Sequence, residues 1–151
     1  MTTSTAPSLL IRRTFDAPPK RLYEAFADPD QLLQVVCPVT AEVVESQADV
    51  RAGGTYRFVL KMEDGDLWTL RGEYRDVSPP NRLSMTWVWV EDDPKDEQNT
   101  LLTIDFNAAG SGTELVLRHE CFVREESRNN HEHGWNECLD KIAARLNATR
   151  S

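Results

Sequence analysis

Leu9-Leu10-Ile11-Arg12-Arg13-Thr14-Phe15 opens the patterned part of the chain and reads as a first strand, stopped by Asp16-Ala17-Pro18-Pro19. Proline is tolerated in a first helical turn, where its missing N–H has no intrahelical partner to lose. Pro18 and Pro19 therefore open a helix through Phe26, with Leu22, Tyr23 and Phe26 on one side. Asp28-Pro29 breaks it, and Asp30 to Val36 make a second short helix that ends near Pro38. From Ala41 the period changes to two. Ala41 to Ser46 is a strand, followed by a turn at Gly53-Gly54; Tyr56, Phe58, Leu60 and Met62 then alternate with Arg57, Val59 and Lys61. Asp64-Gly65 signals a hairpin, and the return strand alternates Trp68, Leu70, Gly72 and Tyr74 with Thr69, Arg71, Glu73 and Arg75. After Pro79-Pro80-Asn81, Leu83, Met85, Trp87 and Trp89 line one face of a fifth strand.

An acidic, proline-containing loop (residues 91–99) leads to Leu102, Ile104 and Phe106 on a sixth strand. Gly110 and Gly112 turn the chain, and Leu115, Leu117 and His119 continue the inner face on a seventh. The last segment, from about Glu126 to Asn147, has helical periodicity. One strand, two helices, six hairpin-joined strands and one long helix indicate the α+β class, with a helix packed on one face of a curved antiparallel sheet.

NNHEHGWNECLDKI (residues 129–142) holds two of the chain's three histidines and one of its three cysteines, a combination that raises the question of a metal site. At about 100° per residue, with Trp135 as the centre, Cys138, Leu139, Ile142 and Leu146 form an apolar stripe within about 60°, and His131 falls on it. His133 lies roughly 160° away, on the solvent side, so the two imidazoles do not share a face as i and i+4 ligands would. Gly134 inside a helix costs about 1 kcal/mol relative to alanine, and a close approach of helix to sheet would account for it. His119 and His131 with Cys121 or Cys138 have nitrogen and sulfur donors suited to zinc, but no spacing supports such a site, and no metal or other cofactor is assigned.

The 151 residues suit one domain with a real core, and 40% hydrophobic with 28% charged residues is an ordinary globular balance. A net charge of −8 with scattered Arg and Lys disfavours a nucleic-acid partner, which needs a cationic stripe. No apolar run approaches the length of about 20 residues that spans a bilayer, so membrane insertion is not expected. MTTSTAPS lacks the n- and h-regions of a secretory signal, and three cysteines without CxxC spacing fit reduced thiols, so a cytoplasmic location is expected.

Several segments carry a family resemblance. FDAPPKRLYEAFADPDQL resembles the opening of START-like proteins, RAGGTYRFVLKMEDGD and GEYRDVSPPNRLSMTW their central strands, and TELVLRHECF with HEHGWNECLDKIAARL their closing strand and helix. Their order and spacing over about residues 8–147 are similar to the activator-of-heat-shock-protein-90-ATPase homologue family, within the polyketide cyclase/START superfamily (SRPBCC). The resemblance implies a helix-grip fold, in which a curved antiparallel sheet of about seven strands wraps the long C-terminal helix and leaves a cavity between them. On that reading residues 1–7 are a disordered tail, 8–147 a single START-like domain and 148–151 a C-terminal tail. Where many members carry Trp-Trp-Gly-Pro, this chain has Val35-Val36-Cys37-Pro38, an exchange expected to enlarge or reshape the cavity mouth.

The implied cavity would be lined by Tyr56, Phe58, Trp68, Leu70, Tyr74, Met85, Trp87, Phe106, Leu117, His119, His131, Trp135 and Leu139, with Trp89 near a strand end; the alternative is that the same side chains simply fill the core. His119, in phase with Leu115 and Leu117, faces inward, where it is either a satisfied core histidine or a group that hydrogen-bonds a ligand or acts as general base. There is no GxSxG elbow, Walker loop or GxGxxG, Asp105 points outward, and Glu24 reads as a solvated helix residue, so no catalytic pair is assigned. Three functions remain, in order: binding of a small hydrophobic molecule, lipid or polyketide-like; a cyclase/dehydratase-type enzyme using His119 and Tyr56 or Tyr74; and a co-chaperone of heat-shock protein 90. A homodimer and a chaperone partner are left open.

Overall fold

The computed structural model describes residues 7–36, 41–91 and 97–150. The elements follow as β1 (Leu9–Phe15), α1 (Pro19–Ala27), α2 (Pro29–Val36), β2 (Glu42–Ala48), β3 (Thr55–Lys61), β4 (Leu67–Ser78), β5 (Arg82–Trp89), β6 (Thr100–Ala109), β7 (Gly112–Glu120) and α3 (Glu125–Arg150). The strands form one seven-stranded antiparallel sheet in the order β1-β7-β6-β5-β4-β3-β2. With α3 on its inner face, this is the helix-grip α+β architecture expected from the sequence. The helix continues to Arg150, beyond the expected end at Asn147, and β2 is displaced two residues toward the C-terminus at its far end. The expected tail at residues 1–7 and the middle of the acidic loop lie largely outside the described residues.

Local chemistry accounts for the boundaries. Pro19 begins α1, which buries Leu22, Tyr23 and Phe26. Asp28 serves both short helices: its backbone N–H donates to Glu24 O (2.9 Å), and its carboxylate accepts from the Asp30 N–H (3.0 Å), satisfying a donor at the start of α2. Gly65 takes φ +93° in the β3–β4 hairpin, a conformation open to glycine. Register shifts between Val43 and Glu45 in β2 and between Tyr74 and Asp76 in β4 add local twist, which suits a sheet that must curve around a helix.

The period-two reading selects the inner face correctly. Leu70, Tyr74, Leu83, Met85, Leu102, Ile104, Phe106, Leu115 and Leu117 are each at most 1% exposed, and the α3 stripe Trp135, Cys138, Leu139, Ile142 and Leu146 packs against them. Val59, expected to face away with Arg57 and Lys61, is nonetheless buried, while those two are exposed. β1 is fastened to α3 by an ion pair between Arg13 and Asp140 (2.7 Å), and α2 to α3 by a hydrogen bond from Arg145 to Gln34.

Candidate ligand crevice between the sheet end and the last helix

The site begins with β7. His119 is fully buried, and both its ring nitrogens are committed. The Trp135 indole N–H donates to Nδ1 across 3.0 Å, so Nδ1 carries a lone pair and Nε2 the proton. Nε2 then donates to Thr100 Oγ1 (2.7 Å), whose own hydroxyl donates to the Trp87 carbonyl. The chain of donors runs in one direction from α3 through β7 and β6 to β5. Burial, with the His131 imidazole adding to it, pushes the His119 pKa down to about 2. His119 is thus a neutral, satisfied core histidine with no ring nitrogen left to accept a proton from a substrate.

Beside this network a crevice opens between β4, β5 and α3. One part of it, about 340 Å³, is lined by Trp68, Trp87, Trp89 and Trp135 with Asn130, His131, Gly134, Glu137, Cys138 and Lys141. These indoles are all four tryptophans of the chain. They touch one another at steep angles: Trp68 and Trp89 at 78° (centroids 5.8 Å), Trp87 and Trp89 at 85° (6.4 Å), Trp87 and Trp135 at 52° (5.1 Å). An adjoining hollow of about 970 Å³ shares Trp68, Trp87, Trp89, Asn130 and His131 and extends to Gln98, Arg124 and Ser127. Gln98 ties this end together. Its Oε1 accepts from the Val123 N–H (2.7 Å) just ahead of α3, and its amide donates to Ser127 Oγ (2.9 Å).

His131 is placed by its own helix. Its Nδ1–H donates to the Ser127 carbonyl one turn back (2.8 Å), which leaves Nε2 as the nitrogen without a protein partner among the described residues. Its ring packs against His119 (5.1 Å) and Phe122 (5.0 Å), and burial lowers its pKa below the ordinary histidine value. His133 faces solvent and pairs with Glu137 (2.8 Å), so the two imidazoles serve different sides of α3, as the helical spacing requires. Among the described residues no group of three or more metal-ligating side chains converges.

Of the residues expected to line a cavity, Trp68, Trp87, His131 and Trp135 border this crevice. Tyr56, Phe58, Leu70, Tyr74, Met85, Phe106, Leu117, His119 and Leu139 do not border it; they fill the core. The reason is packing: the rings of Tyr56, Phe58 and Tyr74 stack together (5.2 and 5.4 Å), and Phe106 is gripped by Tyr23 and Phe26 of α1 (5.6 and 5.9 Å). Tyr56 Oη donates to the Thr86 carbonyl, and burial holds the Tyr56 phenol well above its ordinary pKa and raises that of Tyr74 to about 12, so neither is a ready proton donor at neutral pH. Trp68 corrects the expectation of a buried side chain. It is 50% exposed, because it stands one register step from the β3–β4 hairpin, where Trp89 is its aromatic neighbour.

Gly134 also corrects its expectation. A Cβ there would meet nothing within 4 Å, so the glycine opens the crevice and does not bring helix and sheet together. Thr100 was legible and missed, since it is in phase with Leu102, Ile104 and Phe106 at the head of β6. Asn130, Gly134, Glu137 and Lys141 repeat at helical spacing along one flank of the stripe, a row that sequence periodicity marks only as a boundary. The side chains of Val35 and Val36, with Cys37 and Pro38, lie outside the described residues, so the expected change at the cavity mouth has no structural counterpart here. On the opposite face of the sheet a hollow over Gly72 is bordered by Arg57, Arg71 and Arg75, each paired with a glutamate (Glu45, Glu97 and Glu73 at 2.9, 2.7 and 3.2 Å).

Among solved structures, the chain is similar to a Chromobacterium violaceum protein (27% identity, 91% of this chain and 94% of that chain, TM-score 0.78). It is equally similar to the AHSA1 protein of Silicibacter pomeroyi (27% identity, 95% and 99%, TM-score 0.78). An uncharacterised protein from Rhizobium leguminosarum shares the fold (23% identity, 94% and 95%, TM-score 0.80). No curated protein matches the chain. No helix among the described residues is long and apolar enough to cross a membrane. The family model for "Activator of Hsp90 ATPase homolog 1-like protein" matches residues 16–147, nearly the whole of the sheet and α3 described above, and the chain belongs to that family.

Proposed function

We propose that the protein binds a small hydrophobic molecule, of lipid or polyketide-like character, in the crevice between the end of the sheet and α3. The observation that carries this reading is the convergence of all four tryptophans on one open crevice, beside inner-face residues such as Leu70, Met85, Phe106 and Leu117 that are buried in the core. An indole left half exposed at such a place is costly to keep in water, at about 25 cal/mol per Å² of apolar surface, and a ligand that covers it recovers that energy. The crevice volume lies within the range of roughly 300–1,000 Å³ typical of small-molecule sites.

The cyclase/dehydratase reading gives the proton transfer to His119, and its full burial with both nitrogens hydrogen-bonded favours the binding reading over it. A shared fold does not transmit a partner, so the chaperone named in the family's description is a matter for a direct pull-down. The binding reading is tested by native mass spectrometry of the protein as purified, together with titration of a hydrophobic dye. A retained small molecule, or dye binding weakened by Trp68→Ala, is the expected result. A protein that retains nothing and takes up no dye would overturn the reading.

A further inference from the structure

We propose that the occupant of the crevice is a flat aromatic molecule bearing a hydroxyl group, in preference to an acyl chain; this rests on the ligand-binding reading above. The first argument is the make-up of the walls. The part of the crevice at α3 carries four indoles and no Leu, Ile, Val, Met or Phe, the side chains that would line a channel for a flexible hydrocarbon, and the adjoining hollow adds only Leu67 and Val90. Indoles set at 78° and 85° to each other present a corner of ring faces and edges, the surfaces that favour offset and edge-to-face contact with another ring. The second argument is depth. The path beneath α3 is closed by Phe58, Leu70, Met85, Phe106, Leu117 and Leu139, none more than 1% exposed, so a ligand is confined to the crevice and the adjoining hollow.

The third argument is polar complementarity. His131 Nε2 offers an acceptor, and Trp87, which borders the same crevice, holds its indole N–H buried with no acceptor among the described residues. A hydroxyl on the ligand donates to His131 Nε2, whereas a carboxylate, which only accepts, leaves the neutral imidazole unanswered. Finally, Gly134 supplies the slot. The space where its side chain would stand is open, directly on the helix wall facing the indoles.

The test is calorimetric titration of the full-length protein with 2-naphthol, with 2-methoxynaphthalene (same ring, no donor) and with 1-decanol (hydroxyl, no ring). 2-Naphthol is expected to bind about tenfold more tightly than either, the ratio one net hydrogen bond or the loss of ring contact supplies. Gly134→Leu should abolish naphthol binding, and Gly134→Ala, a milder intrusion that keeps the helix intact, should weaken it. His131→Phe should lower 2-naphthol to the affinity of 2-methoxynaphthalene and leave the latter unchanged, which general damage to the site would not do. Decanol binding as tightly as naphthol, with the same sensitivity to Gly134→Leu, overturns the aromatic class and leaves the ligand-binding reading standing. Preference for naphthol that survives His131→Phe, or naphthol binding indifferent to Gly134→Leu, overturns the assignment made here. Absence of binding by all three probes overturns it together with the reading on which it rests.

Discussion

The indole N–H of Trp135 donates to Nδ1 of His119 across 3.0 Å, fastening the middle of α3 to β7 at the deepest point beside the crevice. This single bond fixes the His119 tautomer, and through it the direction of every hydrogen bond from α3 to the Trp87 carbonyl.

Stability should therefore fall with acidity. His119 titrates at about 2 in the folded protein against about 6.5 in the unfolded chain. The unfolded chain thus binds a proton that the folded protein does not, and stability rises with pH across that window. The contribution is complete above the unfolded value and is lost on acidification at roughly 1 kcal/mol per pH unit. His131, also shifted down, adds to the slope over a narrower range. Urea midpoints measured between pH 7.5 and pH 5 should decline, and His119→Phe should flatten the decline. A midpoint independent of pH in the parent protein would contradict neutral burial.

Trp135→Phe and Trp87→Phe should differ although both remove an indole from the same region. Loss of the Trp135 N–H strands the buried Nδ1 of His119, whereas Trp87→Phe removes a buried N–H that has no acceptor among the described residues. Trp135→Phe is expected to be the more destabilising by about 1–3 kcal/mol, the cost of an orphaned buried polar atom. Chemical denaturation of the two variants gives the difference directly.

Two glycines should answer alanine oppositely. At Gly134 the added methyl meets open space inside a helix, so Gly134→Ala should stabilise by about 0.5–1 kcal/mol. At Gly72 a Cβ would stand 2.1 Å from the Thr86 carbonyl oxygen and 2.6 Å from the Tyr56 ring, so Gly72→Ala should unfold the protein or separate β4 from β5. Thermal melts of the pair would show one melting temperature raised and the other strongly lowered or lost.

The Cys138 thiol should be inert in the folded protein. It is 7% exposed, and burial raises its pKa to about 12, so almost no thiolate is present at neutral pH. Cys121 is exposed. Iodoacetamide followed by peptide mass spectrometry should find Cys121 modified under native conditions and Cys138 modified only after denaturation. Rapid native labelling of Cys138 would show that α3 opens readily from the sheet.

The order of elements and the inner face were written in local periodicity. Leu115, Leu117 and His119 point inward because a strand repeats every two residues, and the stripe from Trp135 to Leu146 faces the sheet because a helix repeats every 3.6. The same arithmetic sent His131 and His133 to different sides and removed the apparent metal pair. The family, too, was visible in short segments whose order and spacing match the model over residues 16–147.

Whether an inward side chain fills a core or borders a void is not a local property. Tyr56, Phe58 and Phe106 carry the same periodic signal as Trp87, yet they pack against one another or against α1 while Trp87 borders open space. Gly134 shows the limit most clearly. A glycine in a helix announces an exception, but only the distance to the facing sheet tells a close approach from an opening. His119 was legible as buried from its phase alone. That it is saturated, with Trp135 on one nitrogen and Thr100 on the other, depends on partners 16 and 19 residues away that meet only when the sheet curls around the helix.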